Sequence, residues 1–314
     1  LSQNGNLDRL DADMSDATFT FNHHRPRLQS IAYRMLGSWA EAEDVVQDAW
    51  LKWHAADRGA LANVEAWLVS VTTRLSIDRL RAAKARREHY VGAWLPEPGL
   101  ADLADPAPSP EQALERSHDV SYALLAVLER LSPEARAAFL LRDVFDEGYD
   151  EIARVLDRTE AACRQLVHRA RVRLKDERKP APVNPEAQRS LLQAFAQAAS
   201  TGDFTALKSV LAADAQLVGD GGGKVASFGV PLLGGQRIAQ LYLATCLRFR
   251  GRVRCEIALA DGQWRLLRFI EGKLESAQYL ETDGTRITRI HAQRNPDKLA
   301  RLAQTLGREL SVQP

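Results

Sequence analysis

The sequence predicts a multidomain chain in which two all-α domains precede an α+β domain, and three observations predict it. Apolar residues recur at helical spacing from about Phe21 to His89 and again from about His118 to Lys175, where the pattern ends in helix-turn-helix punctuation. Two proline-rich stretches, GAWLPEPGLADLADPAPSPEQALERS and DERKPAPVNPE, interrupt it. After the second, helical spacing gives way to mixed helices and short strands parted by Asp-Gly and Glu-Gly turns.

With 314 residues and 45% hydrophobic content the chain can fill two or three cores. A formal net charge of +1 says little as a total, but the charge is unevenly placed. Arg74, Arg79, Arg81, Lys84, Arg86 and Arg87 face only Asp78 in one stretch, the local footprint of a nucleic-acid contact. Cys163, Cys246 and Cys255 form no CxxC pair and no His lies at ligand spacing, so neither zinc, nor another cofactor, nor a disulfide framework is expected. No run approaches the roughly 18 apolar residues of a membrane span, and LSQNGNLDRLDAD has no signal-peptide core. The expectation is a cytoplasmic monomer without membrane contact. Leu1 opens the chain and Met14 precedes SDATF, which leaves the natural start open; residues 1–18 read as a disordered tail.

Residues 19–91 read as the first domain. HRPRLQSIAYRMLG puts Leu28, Ile31, Ala32 and Met35 on one face and stops at Gly37. In SWAEAEDVVQDAWLKWHAA, Ser38 can cap, Glu41, Glu43 and Asp44 suit the early turns, and Val45, Ala49 and Trp53 face inward. Asp44, Gln47, Asp48 and Lys52 remain outside, as a solvated surface or as a dock for a basic partner. VEAWLVSVTTRLSIDRLRAAKARREHY gives one long helix, apolar first through Trp67, Leu68, Val71, Leu75 and Leu80, and then strongly basic.

Residues 92–117 read as a linker and 118–179 as the second domain, with Ser132 as cap and Pro133 at the first helical position of PEARAAFLLRDVF. In YDEIARVLDRTEAACRQLVHRARVRLK, Ile152, Ala153 and Leu156 stripe a short helix, Asp157-Arg158 break it, and Thr159 can cap the next. Cys163, Val167, Ala170 and Leu174 then form one buried stripe, which turns Arg164, Gln165, His168, Arg169 and Arg171 outward. Such a helix can enter a major groove, where these side chains hydrogen-bond base edges. A solvated helix in a bundle is the plain alternative.

The order of segments resembles the extracytoplasmic-function type of bacterial RNA polymerase sigma factor. The acidic EDVVQDAWLKW helix at Glu43 to Trp53 and the WLxxV…D-x-L-R helix at Trp67 to Arg81 carry the resemblance, which extends to about Lys175. It implies two all-α sigma domains and two partners, core RNA polymerase through its clamp and flap, and promoter DNA. Asp44, Gln47, Asp48 and Lys52 would grip the clamp. The loop from His54 to Asn63, with Asn63, Trp67, Arg74, Asp78 and Arg81, would hold the −10 element, where a base leaves the duplex to be read. Arg74 stands where such factors often have Asn. Arg164, Gln165 and His168 would meet −35 bases, and Arg158, Thr159 and Arg171 would hold phosphates. Elements about 17 base pairs apart lie roughly 58 Å apart at 3.4 Å per step, a span the first linker can cover.

After a linker at 180–186, residues 187–314 read as the third domain. LLQAFAQAASTGDFTALKSVLAADAQLV gives two helices joined at Gly202-Asp203 and a strand at Ala215 to Val218, and QRIAQLYLATCLRF gives another helix. Strands are expected at Arg252 to Leu259, Gln263 to Ile270, Lys273 to Glu281 and Arg286 to Gln293. This order resembles the SnoaL-like, NTF2-like cone, a sheet wrapped on helices with a pocket that could hold an unidentified small-molecule ligand. WLPEP at Trp94 to Pro98, DGGGK at Asp220 to Lys224 and NPDKL at Asn295 to Leu299 together resemble the sigma-factor group ECF41, which carries such a domain. The resemblance implies interdomain control through Trp94, Leu95, Pro96, Asp220, Lys224, Asn295, Pro296, Asp297, Lys298 and Leu299. The helix after NPDKL, with Leu299, Leu302, Ala303 and Leu306 on one face, either closes its own domain or fastens it to WLPEP.

Two other readings remain. A helix-turn-helix regulator with a ligand-sensing domain would need no acidic clamp-binding face. An enzyme in the cone would draw on Asp214, Asp220 and His291, but no nucleophile, base and orienting group appear as a set, and no catalysis is expected.

Overall fold

The computed structural model describes residues 4–87, 92–99, 122–175, 184–260 and 263–311. Pro106, Pro108 and Pro110 of the expected linker, and the side chains of Lys84, Arg86 and Arg87, lie outside the described residues. The chain divides into two compact units, Leu1–Arg87 with Leu128–Asp176, and Glu88–Val127 with Glu177–Pro314.

The described part of the first unit is helical. α1 (Asn4–Leu36) is longer than expected, and the disordered tail at residues 1–18 is corrected from Asn4 onward. After Gly5 no glycine or proline interrupts the chain before Pro26. Ala17 and Phe21 are buried, and the Trp53 indole N–H donates to the Ala17 carbonyl at 2.9 Å. α1 ends at Gly37, whose positive φ of 67° suits glycine and whose N–H donates to the Tyr33 carbonyl. Ser38 caps α2 (Trp39–His54), which buries Val45, Ala49 and Trp53.

α3 (Val64–Arg87) buries a different face from the one expected. Leu68, Val69, Thr72, Thr73, Ser76, Ile77 and Leu80 are buried, while Trp67, Val71 and Leu75 are only partly covered. The reason is that α3 packs on two sides, against α1 and α2 and against α5 (Pro133–Asp143) and α6 (Tyr149–Leu156). Small hydroxyl residues fit that double contact, and the Ser76 hydroxyl returns its hydrogen bond to the Thr72 carbonyl. Arg136 on α5 is 2% exposed and donates to the Met35 carbonyl in the last turn of α1, to the Leu128 carbonyl and to Glu129. A cation there complements the negative end of the helix.

The second unit takes up residues 92–99, part of the expected linker with WLPEP, and the first residues of α4 (Tyr122–Leu128). Asn184 caps α8 (Pro185–Thr201), which starts within the expected second linker, and Gly202 ends it at φ 73°. α9 (Phe204–Val210) leads into β1 (Leu211–Asp220). β2 (Leu232–Leu233) and α10 (Gly235–Phe249) follow, then the meander β3 (Val253–Ala260), β4 (Gln263–Ile270), β5 (Lys273–Thr282) and β6 (Ile287–Gln293). The strand order is β2-β1-β6-β5-β4-β3, with β1 parallel to β6 and the other pairs antiparallel. Asp220, the last residue of β1, is therefore level with Gln293, the last of β6. α11 (Pro296–Thr305) lays Leu299, Leu302 and Ala303 on Leu267, Phe269, Leu274 and Ala277 of the sheet.

One ion network in this unit is built on a buried carboxylate. Nε of Arg268 and Nε of Arg294 each donate to Glu275 at 2.6 Å. Burial pushes the Glu275 carboxyl up, but Arg268 and Arg294 beside it outweigh burial and hold it down at about 2. A folded value below the ordinary 4.5 means that the network's stabilisation is fully present above 4.5 and is lost as pH falls toward about 2. Glu275→Gln should cost roughly 3–5 kcal/mol at neutral pH, as breaking a buried pair does, and should flatten the loss of stability with acid. Urea unfolding across that pH range checks this, and equal neutral-pH midpoints for variant and parent would contradict it.

Candidate nucleic-acid interface and the three-motif contact

The helix-turn-helix is built as its sequence dictates. α6 ends at Asp157 in the left-handed region (φ 51°), and the Thr159 hydroxyl accepts from the Ala162 N–H at the start of α7 (Glu160–Lys175). Cys163, Val167 and Ala170 are buried as expected and Leu174 only half-buried; in α6 Ile152 is buried as expected, with Val155 in place of Ala153 and Leu156. Arg158, Thr159, Arg164, Gln165, His168 and Arg171 are all exposed. Two of these arginines are already held: Arg164 by Glu160 at 3.0 Å and over the Tyr149 ring, Arg171 by both carboxylate oxygens of Asp143.

On α2, Asp44, Gln47 and Lys52 are exposed and Asp48 partly so. Arg79 of α3 bridges Asp44 at 3.1 Å and Asp48 at 2.9 Å, which the sequence reading did not anticipate. Asn63 caps α3 by accepting from the Ala66 N–H, and Trp67 sits 5.9 Å from Trp53, ring to ring, beside the loop. Asp78 is exposed. Arg74 donates to the carbonyls of Val155 at 2.8 Å and Arg154 at 2.7 Å, closing the C-terminal end of α6. Arg81 pairs with Glu134 at 2.7 Å and with Asp78 at 3.4 Å. Burial pushes the Glu134 carboxyl up, but a backbone hydrogen bond and Arg81 outweigh it and hold the group below its usual range.

In the second unit the three short motifs meet. Asp220 has no exposed surface; its Oδ2 accepts from the Leu95 N–H at 2.9 Å and from Lys298 at 2.7 Å, and its Oδ1 accepts from the Gly222 N–H. Lys298 also donates to the Leu95 carbonyl at 2.6 Å and lies 3.9 Å from the Trp94 ring centroid. Gln293, absent from the sequence-based set, donates to the Leu95 and Pro96 carbonyls and to Asp220. Tyr122 stacks on Tyr279 and donates to the Pro96 carbonyl, and Leu95 is buried in one cluster with both rings. Arg265 donates to the Gly99 carbonyl. Asn295 caps α11 at Asp297, with Pro296 in the first turn, and Lys224 pairs with Asp297 at the surface. Gly222, at φ 64°, leaves no room for a side chain because a Cβ would overlap the Asn295 amide. Leu299 faces the sheet and Lys298 the strap at residues 92–99, so α11 both closes its own unit and holds WLPEP.

The ionisable candidates for catalysis have different surroundings. Asp220 belongs to this contact, His291 pairs with Glu281 at 2.7 Å, and Asp214 is exposed. All three cysteines are buried and free. No described helix is long and apolar enough to cross a membrane.

Two family models match the chain, Sigma-70 region 2 over residues 20–86 and Sigma-70, region 4 over residues 121–174. The chain is 38% identical over 234 residues to the ECF RNA polymerase sigma factor SigJ of Mycobacterium tuberculosis, covering 73% of each protein. It is 33% identical over 288 residues to the probable ECF RNA polymerase sigma factor SigI of the same organism, covering 90% of this chain and 95% of that one. The crystal structure of M. tuberculosis SigJ matches with a TM-score of 0.71 at 31% identity, over 90% of this chain and 98% of that one. Helix-turn-helix, acidic helix and basic helix thus belong to a factor that directs core RNA polymerase to promoters, and the chain is a member of the ECF RNA polymerase sigma factor family.

Proposed function

We propose that this sigma factor meets the polymerase clamp through Asp44, Gln47, Asp48 and Lys52, and reads −35 bases with Arg164, Gln165 and His168 while Arg158, Thr159 and Arg171 hold phosphates. The −10 element is held by Asn63, Trp67, Arg74, Asp78 and Arg81, and the sheet unit controls initiation by holding the strap at residues 92–99. The three motifs support the reading of the chain as a member of the ECF41 group. Its pocket holds a small molecule and performs no catalysis. The chain works as a monomer in the cytoplasm.

The observation that carries the regulatory part is the meeting of Leu95 with Asp220, 125 residues away in sequence, and with Lys298, 203 residues away. Contacts of that range hold the N-terminal part of the interdomain linker to the C-terminal unit. A second observation favours a closed free state: Arg74 and Arg81, two of the residues assigned to the −10 element, spend their donors on α6 and on Glu134. Promoter elements roughly 58 Å apart at 3.4 Å per step require those bonds to break. Polymerase and DNA supply replacement partners, and the strap sets how freely the helices can part.

Lys298→Met removes the cation from a buried carboxylate, a loss of roughly 3–5 kcal/mol in comparable pairs, while Leu299 and Leu302 keep α11 on its sheet. Run-off transcription with core polymerase should shift in yield by several-fold for Lys298→Met and in the same direction for Trp94→Ala. Unchanged yields in both variants would remove the regulatory role. Cutting the chain before Asn295 is a poorer test, because it uncovers Leu267, Phe269 and Leu274.

For the clamp face, Asp48→Arg should abolish co-purification with core polymerase, since it reverses charge where Arg79 already supplies a cation. Retention equal to that of the parent would sink that assignment.

A further inference from the structure

The second unit encloses a cavity of about 330 Å³ between α10 and the sheet, near the lower end of the roughly 300–1,000 Å³ range of small-molecule pockets. Its walls are apolar through Leu217, Leu241, Phe228, Phe249 and Ile270. Set into them are Arg268, Glu275 and Arg294, and the charges do not cancel: two guanidinium groups share one carboxylate.

Arg268 is the informative side chain. Its residue is 7% exposed, and its Nε is committed to Glu275. Among the described residues Nη1 and Nη2 have no hydrogen-bond partner, although Arg268 lines the cavity and sits 5.3 Å from the Tyr242 ring centroid. A guanidinium fork of this kind matches a carboxylate's two oxygens, and a buried cation gains most from such a partner. The neighbouring phenol offers no negative charge in that place. Tyr242 gives its hydroxyl proton to Gln278 at 2.5 Å, and burial pushes its phenol well above the usual value, so it stays neutral. The Ser227 hydroxyl is also buried, lines the same space and has no partner among the described residues. It can donate to the same head group.

We infer that this cavity is a binding site for a small apolar carboxylate, whose head group takes the terminal nitrogens of Arg268 and whose tail lies against Leu217, Leu241 and Phe249. Arg248, exposed at the same cavity, adds positive charge along the way in. The site does not depend on the regulatory role proposed for the strap, although Arg294 connects the two by donating to the Ala226 carbonyl just after DGGGK.

The test is titration calorimetry of the full chain with octanoate and with 1-octanol, which share a tail and differ in the head. Octanoate should bind at least tenfold more tightly than octanol, Arg268→Met should erase that preference, and Leu241→Trp, which fills the cavity without touching the ion network, should abolish binding of both. Circular dichroism checks that each variant is folded; if Arg268→Met is not, Leu241→Trp and the octanol comparison decide. Equal affinity for the two probes, no octanoate binding at millimolar concentration, or octanoate binding that survives Leu241→Trp would each overturn the inference.

Discussion

A carboxylate without exposed surface needs a cation and hydrogen-bond donors inside the protein, and Asp220 finds them on two other segments of the chain. The parallel pairing of β1 with β6 brings Asp220 level with Gln293, so the start of α11 lies beside it. Lys298 supplies the cation from the first turn of that helix, and the Leu95 N–H supplies a further donor. The glycines of DGGGK allow the turn to lie against Asn295, and the Asn295 cap fixes where the helix starts. Each motif is thus a condition for the others: without the glycine the cap is displaced, without the cap Lys298 is misplaced, and without Lys298 the carboxylate loses that cation.

The first unit uses its charged groups in a different way. Arg74, Arg79, Arg81 and Arg171, all suited to polyanions or acidic surfaces, are each matched with a local carboxylate or with helix-end carbonyls. Most of these pairs are partly or well exposed, where an ion pair contributes on the order of 1 kcal/mol or less. Such bonds hold side chains in place in the free protein and yield readily to a stronger partner. The sealed cation, Arg136, is bound instead to main-chain carbonyls and Glu129, which suits a structural role.

Much of this was legible in the sequence because periodicity, caps and glycine turns act locally. The helix-turn-helix, the Gly37 stop, the Ser38, Ser132 and Thr159 caps and the four meander strands follow from residues within a few positions of each other. What was hidden depends on partners far away in sequence. The face of α3 was misassigned because it serves two sides, and Thr72, Thr73 and Ser76 do not look like core residues. The N-terminal helix was missed because its anchor is the indole of Trp53. Gln293 gave only a faint signal, as the last residue of the expected strand, two positions before NPDKL. The role of Tyr122 gave none, since only the fold brings it to Tyr279 and the strap.

Amide hydrogen exchange at Leu95 tests most directly whether the Asp220 contact holds the strap in the free protein. In the free full chain that N–H should be protected to a degree comparable with neighbouring β1 and β6 amides, and Lys298→Met should reduce its protection by at least tenfold while the strands keep theirs. A Leu95 amide that exchanges as fast as an unstructured loop in the parent protein, or that is as slow in Lys298→Met as in the parent, would contradict the account.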